Sequence, residues 1–154
     1  RLDRSSPAQS LCVVDCAGDE RSSRLREDGV FVYSVESPDD LTGIGIALSA
    51  WFDRLDAAGY DRGRIGFVSL SAMLDATGDQ ATFKFAHVVS SRLGAAGYLG
   101  LFGLGQPHSL ESRRILSEAA DWTVELKRSQ DGTAGRLWER QTEAEWHPIA
   151  RLNR

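Results

Sequence analysis

An α/β domain with a mostly parallel sheet and a C-terminal β-hairpin is predicted by three features of this sequence. Short runs rich in β-branched and aromatic residues alternate with stretches of helical periodicity. Residues 98–104, Tyr-Leu-Gly-Leu-Phe-Gly-Leu, are apolar on both faces, as expected inside a parallel sheet. Two alternating segments flank Asp131-Gly132, which reads as a hairpin turn. Strand, helix, strand, helix, strand, helix and then a hairpin is the order of an α/β sandwich.

The elements follow in order. Residues 10–16 form a short apolar run rich in Val and Cys, broken by Ala17-Gly18-Asp19-Glu20. Residues 19–29 carry Asp, Glu, Ser and the arginines Arg21, Arg24 and Arg26, and read as a solvated loop or ragged helix. Val30-Phe31-Val32-Tyr33-Ser34-Val35 is a second strand. Ser37-Pro38-Asp39-Asp40 then starts a helix, with Ser37 as the cap and Pro38 in the first turn. Leu41, Ile44, Leu48, Trp51, Phe52 and Leu55 make its apolar face, and Ala58-Gly59 ends it. Residues 65–70 are the third strand. Phe83, Ala86, Val89 and Leu93 mark a second helix closed by Gly97, and residues 98–104 are the fourth strand. After the loop Gly105-Gln106-Pro107-His108, Ser109 caps a short helix running to Ala120. Residues 122–128 and 136–140 form the hairpin, and residues 146–152 add an edge strand.

The bulk numbers narrow the function classes. A chain of 154 residues fits one domain, residues 1–154, with no repeat, linker or low-complexity tract. A net charge of −4 offers no polyanion-attracting background, so nucleic acid is an unlikely partner. No apolar run approaches a membrane span, which argues against a membrane partner. Cys12 and Cys16 lie four residues apart in an extended run, placing their Cα atoms roughly 13 Å apart. A disulfide needs under about 7 Å. Both therefore read as small buried hydrophobes in a reducing cytosol, and the expected location is cytoplasmic.

Several groups are candidates for chemistry. Asp15 ends the first run, where α/β proteins gather ligands; a metal or ribose contact competes there with a strand-end cap. Asp75 and Asp79 flank the turn after the third strand and suit a helix start better than a role as a catalytic-site acid. His87, His108 and His147 share no zinc spacing, so no metal site is expected. His108 is the histidine best placed for a ligand, in a loop after a central strand. No G-x-S-x-G elbow is present, and no catalytic residue is assigned. Trp51, Trp122, Trp138 and Trp146 read as packing residues.

Three segments in order carry a family resemblance: Ser37-Pro38-Asp39-Asp40-Leu41-Thr42-Gly43-Ile44-Gly45-Ile46, then Phe67-Val68-Ser69-Leu70-Ser71-Ala72-Met73-Leu74, then Phe83-Lys84-Phe85-Ala86-His87-Val88-Val89. With their spacing, residues 30–127 resemble the RecA/KaiC-like superfamily of P-loop ATPases, closest to the haloarchaeal KaiC-like, signal-transducer-like proteins. Arg supplies 16 of the 18 basic residues, a usage that suits a GC-rich, halophilic genome. The resemblance implies a RecA-like three-layer sandwich and a cytoplasmic regulatory or signal-transduction role. It also implies contacts with a protein partner or with further copies of the chain.

Two elements of the family pattern are missing. No G-x-x-x-x-G-K-[ST] phosphate loop occurs, and Val68 stands where the family places the Walker B Asp, with Ser69 following. Taken with an opening Arg1 rather than Met, this predicts an N-terminus cut from something longer, or a missing phosphate-loop unit. In a rival register Glu36 would end the strand of catalytic acids, but one strand too few follows it. The leading expectation is a degenerate, non-hydrolysing domain that binds no cofactor. ATP and Mg²⁺ enter only if a phosphate loop lies upstream, which is the alternative of a fragment of an active ATPase. A third alternative is an α/β module binding a small ligand near Asp15, Ser69 or His108.

Overall fold

The computed structural model describes residues 11–17, 21–105, 108–129, 132–139 and 145–149. Its elements run β1 (Cys12–Asp15), β2 (Ser22–Leu25), β3 (Phe31–Ser34), α1 (Leu41–Ala57), β4 (Arg64–Phe67) and α2 (Ser71–Ala96). Then come β5 (Leu99–Phe102), α3 (Leu110–Ser117), β6 (Trp122–Ser129), β7 (Gly132–Glu139) and β8 (His147–Ile149). Helices and strands are mixed as expected. Part of the polar start, Gln106-Pro107, Asp131 and the end of the tail lie outside the described residues.

Three hydrogen-bonded sheets result. β3 lies between β1, which runs parallel to it, and β2, which runs antiparallel. β4 and β5 pair in parallel. The C-terminal sheet is antiparallel throughout, with β7 between β6 and β8. Parallel pairing is thus confined to β1/β3 and β4/β5 and does not dominate the described strands. The expected hairpin is present, but Gly132 pairs with Ser129 and opens β7 instead of sitting in the turn, so the second strand starts four residues before Arg136.

One core joins the first two sheets. Val35, Ile44, Leu48, Leu70, Met73, Val89 and Leu93 are buried together, with Val14, Ile65, Phe67 and Phe102 packed against them. Both long helices cover the same face. Trp51 and Arg54 of α1 lie against Phe31 of β3, while Phe85 of α2 meets Phe67 of β4 edge-on at 5.8 Å. The helices also touch each other, Arg92 Nη1 donating to Ser49 Oγ at 2.6 Å. On the opposite face of β4 and β5, Arg64, Gly66, Leu99 and Leu101 are exposed. The expectation that residues 98–104 are buried on both sides is therefore corrected: β5 is covered on the Gly100–Phe102 side only.

Three further expectations change. Residues 22–25 are a strand, held by the backbone of β3 although all four side chains are exposed. The cap of α1 is Asp40, not Ser37: its Oδ1 accepts the Gly43 N–H at 2.9 Å. The second helix begins at Ser71, well before Phe83, and Gly78 breaks it with φ 78° and ψ 172°. That conformation is essentially restricted to glycine, so α2 is two helical segments joined at one residue.

Candidate functional site

Parallel strands gather their carboxyl ends on one edge, where α/β proteins bind ligands. Here that edge is made by Asp15 and Cys16 after β1, residues 35–37 after β3, residues 68–70 after β4 and residues 103–105 after β5. Its backbone is latched. Val35 N donates to Asp15 O at 2.8 Å, and Gly103 N donates to Phe67 O at 2.8 Å. Leu70 N in turn donates to Gly103 O at 2.7 Å.

The side chains on this edge are mostly occupied with the turns themselves. Asp15 Oδ1 accepts the Ala17 N–H at 3.1 Å, closing an Asx-type turn. Ser69 Oγ accepts the Ser71 N–H at 3.1 Å, and Ser71 Oγ accepts the Gly105 N–H at 3.1 Å. Val68 is 98% exposed and carries no polar group. Asp79 follows the Gly78 break and opens the second segment of α2; Asp75 sits inside the first segment, exposed.

The predicted residues are not drawn into one constellation. Asp15 belongs to the β1–β3–β2 sheet, Ser69 and Val68 to the end of β4, and His108 to the segment before the Ser109 cap of α3. His108 is half-buried and has no hydrogen bond to a described residue. Among the described residues no three His, Cys, Asp or Glu side chains lie close enough to share a metal ion.

Of the two cysteines, Cys16 lies at this edge and Cys12 at the opposite, amino end of β1. Burial pushes the Cys12 thiol up to about 11, against a smaller opposing pull from Arg54. Cys16 is raised as well, first by burial and then by the carboxylates of Asp15 and Asp40. Both thiols therefore stay protonated near neutral pH and are poor nucleophiles.

One group at this edge escaped the sequence reading. Arg21 reaches from the start of β2 to Asp40 with two bonds, Nε to Oδ2 at 2.8 Å and Nη2 to Oδ1 at 2.7 Å. This pair ties β2 to the N-terminus of α1. The Gly43 N–H, and after it the Arg21 guanidinium, hold the Asp40 carboxyl below the usual carboxylate range. A pKa depressed in the folded state adds stability above the unfolded value, near 4. That contribution disappears as the pH falls through the folded pKa. Asp40→Asn is accordingly expected to be less stable than the parent at pH 7, with the gap closing as the pH falls below about 4. Urea melts at several pH values check this, and a gap independent of pH would refute it.

With the geometry in view, comparison with known proteins adds one finding. A family model matches residues 1–126. The chain belongs to DUF7504, a family of unknown function. The family's span takes in β1 to β5, all three helices and β6 as far as Leu126; β7 and β8 lie beyond it. No curated protein and no solved structure matches the chain.

Proposed function

We propose that this chain is a degenerate RecA/KaiC-like domain, cytoplasmic, that does not hydrolyse nucleotide and serves a regulatory or assembly role. The observation that carries the reading is the end of β4. A side chain that ligates Mg²⁺ or polarises water is needed there, and the residue is Val68, 98% exposed. Its neighbour Ser69 has its hydroxyl oxygen engaged by the Ser71 N–H. The residues present therefore do not suit a magnesium–nucleotide complex.

The three-layer arrangement is part of the same proposal. Parallel strands are rarely left open on one side. The exposed face carrying Leu99 and Leu101 is where a second helical layer fits, as it would in a complete RecA-like domain.

Calorimetric titration with ATP and Mg²⁺ tests the reading, with no micromolar binding expected. Micromolar, magnesium-dependent binding would overturn it in favour of a working ATPase fragment. A companion measurement uses Val68→Asp in a chain extended by any natural upstream sequence. Hydrolysis that stays at background in that variant removes the ATPase-fragment alternative.

A further inference from the structure

The C-terminal sheet has its faces the unexpected way round. Strand register puts Thr123, Glu125 and Lys127 of β6 on one face with Trp138, Arg136 and Ala134 of β7. This polar face is the one turned toward the domain. Glu125 accepts from Arg136 Nε at 2.8 Å and from Arg113 of α3 at 3.4 Å. Arg136 is also sandwiched near Trp138 and Trp146, 5.0 and 4.8 Å from the ring centroids.

The other face holds Trp122, Val124 and Leu126 of β6 beside Leu137 of β7, and it points away from α3. These four are 56%, 61%, 64% and 55% exposed. Scattered apolar residues on a surface need no explanation, but four large ones adjoining on one sheet face do. Charges stand at the two ends of this face. Glu139 lies opposite Trp122 at one end, and Arg128 lies opposite Thr133 at the other. Both are exposed, and neither has an ion-pair partner among the described residues.

We infer that this face docks on the same face of a second copy of the chain. A two-fold axis lying across the strands, between two facing sheets, reverses strand direction while keeping β6 over β6. With the axis level with Glu125, Val124 of each copy faces Leu126 of the other, and Arg128 of each copy arrives over Trp122, beside Glu139 of the other. Packed sheets lie about 10 Å apart, a gap that an Arg and a Glu reaching from opposite sides close. An isologous contact uses one patch twice, so both salt bridges form together. Within one copy the two charges are at opposite ends of the face and do not meet. Four large apolar residues a side make a small interface, so the association is expected to be weak and reversible, about micromolar or looser. This inference rests on the hairpin alone and is independent of the nucleotide reading.

Sedimentation equilibrium of the 154-residue chain across concentrations tests it, with a mass rising from 16.9 kDa toward twice that value. Leu126→Asp is expected to leave a folded monomer, since Leu126 is exposed in the single chain. Arg128→Glu and Glu139→Arg are each expected to weaken the dimer about tenfold, and the double reversal to restore it. A chain that stays monomeric at about 200 µM overturns the inference. So does a dimer indifferent to Leu126→Asp, which places the contact elsewhere, for example on the Leu99–Leu101 face. A double reversal no tighter than the single ones overturns the two-fold arrangement and with it the inference. Circular dichroism of each variant separates loss of association from loss of fold.

Discussion

Gly103→Ala is expected to lower stability by about 3 kcal/mol, from overpacking together with disturbed hydrogen bonds. A Cβ on Gly103 would lie 2.5 Å from Val68 O and 3.1 Å from Phe67 O. Both obstacles are backbone, so no side chain can swing aside. The same residue donates to Phe67 O and accepts from Leu70 N, the bonds that carry the β4–β5 ladder past Phe67 and Phe102. Making room means parting the strand ends and weakening both bonds. For a domain of this size the melting temperature would fall by roughly 6–12 °C. Gly66→Ala is the control, because its Cβ meets nothing within 4 Å on the open face of β4. Thermal melts that find the two variants alike would show that the latch at the carboxyl edge is not what holds these turns.

The latch bears directly on what the sequence could convey about the site. The apolar run Ile65-Gly66-Phe67 is legible as a strand, but the expected strand over 65–70 is too long: β4 ends at Phe67, and Val68 and Ser69 belong to the Ser-rich turn that follows. Occupancy of the hydroxyls was not legible. Whether Ser69 Oγ is free for a ligand depends on the Ser71 N–H coming round to meet it, which only the turn geometry decides. The same holds for Asp15, whose carboxylate is a plausible ligand until the Ala17 N–H is seen to take it.

Errors in the fold have a similar origin in partners distant along the chain. Ser22–Leu25 has no apolar alternation, and its extended form comes from pairing with β3. Ser37 and Asp40 both look like helix caps. Asp40 is selected because Gly43 has no Cβ; one there would sit 2.7 Å from Asp40 Cγ. The helical period that marks Phe83 to Leu93 does not reach back to Met73 and Leu74, because the Gly78 break interrupts it. Trp122, Val124 and Leu126 alternate as a half-buried strand should. Alternation cannot say which face turns inward, and here Arg113 and Glu125 decide it for the polar one.

Leu93→Ala is expected to cost about 2–5 kcal/mol, and its coupling to Gly100 tests how α2 seats on the sheet. Leu93 is 3% exposed and belongs to the central core. Its Cδ1 lies 2.6 Å from where a Cβ of Gly100 would be, so the leucine fills the notch that the glycine leaves in β5. Removing the leucine opens a cavity beneath Gly100. Adding a methyl at Gly100 instead pushes into Leu93, with an overpacking cost of about 1–3 kcal/mol. In the double variant the new methyl enters the new cavity. Its cost should therefore fall short of the sum of the single costs by about 1 kcal/mol or more. Strict additivity in urea melts would mean that Leu93 and Gly100 do not meet. The placement of α2 over β4 and β5, which leaves Leu99 and Leu101 on the uncovered side, would then need another explanation.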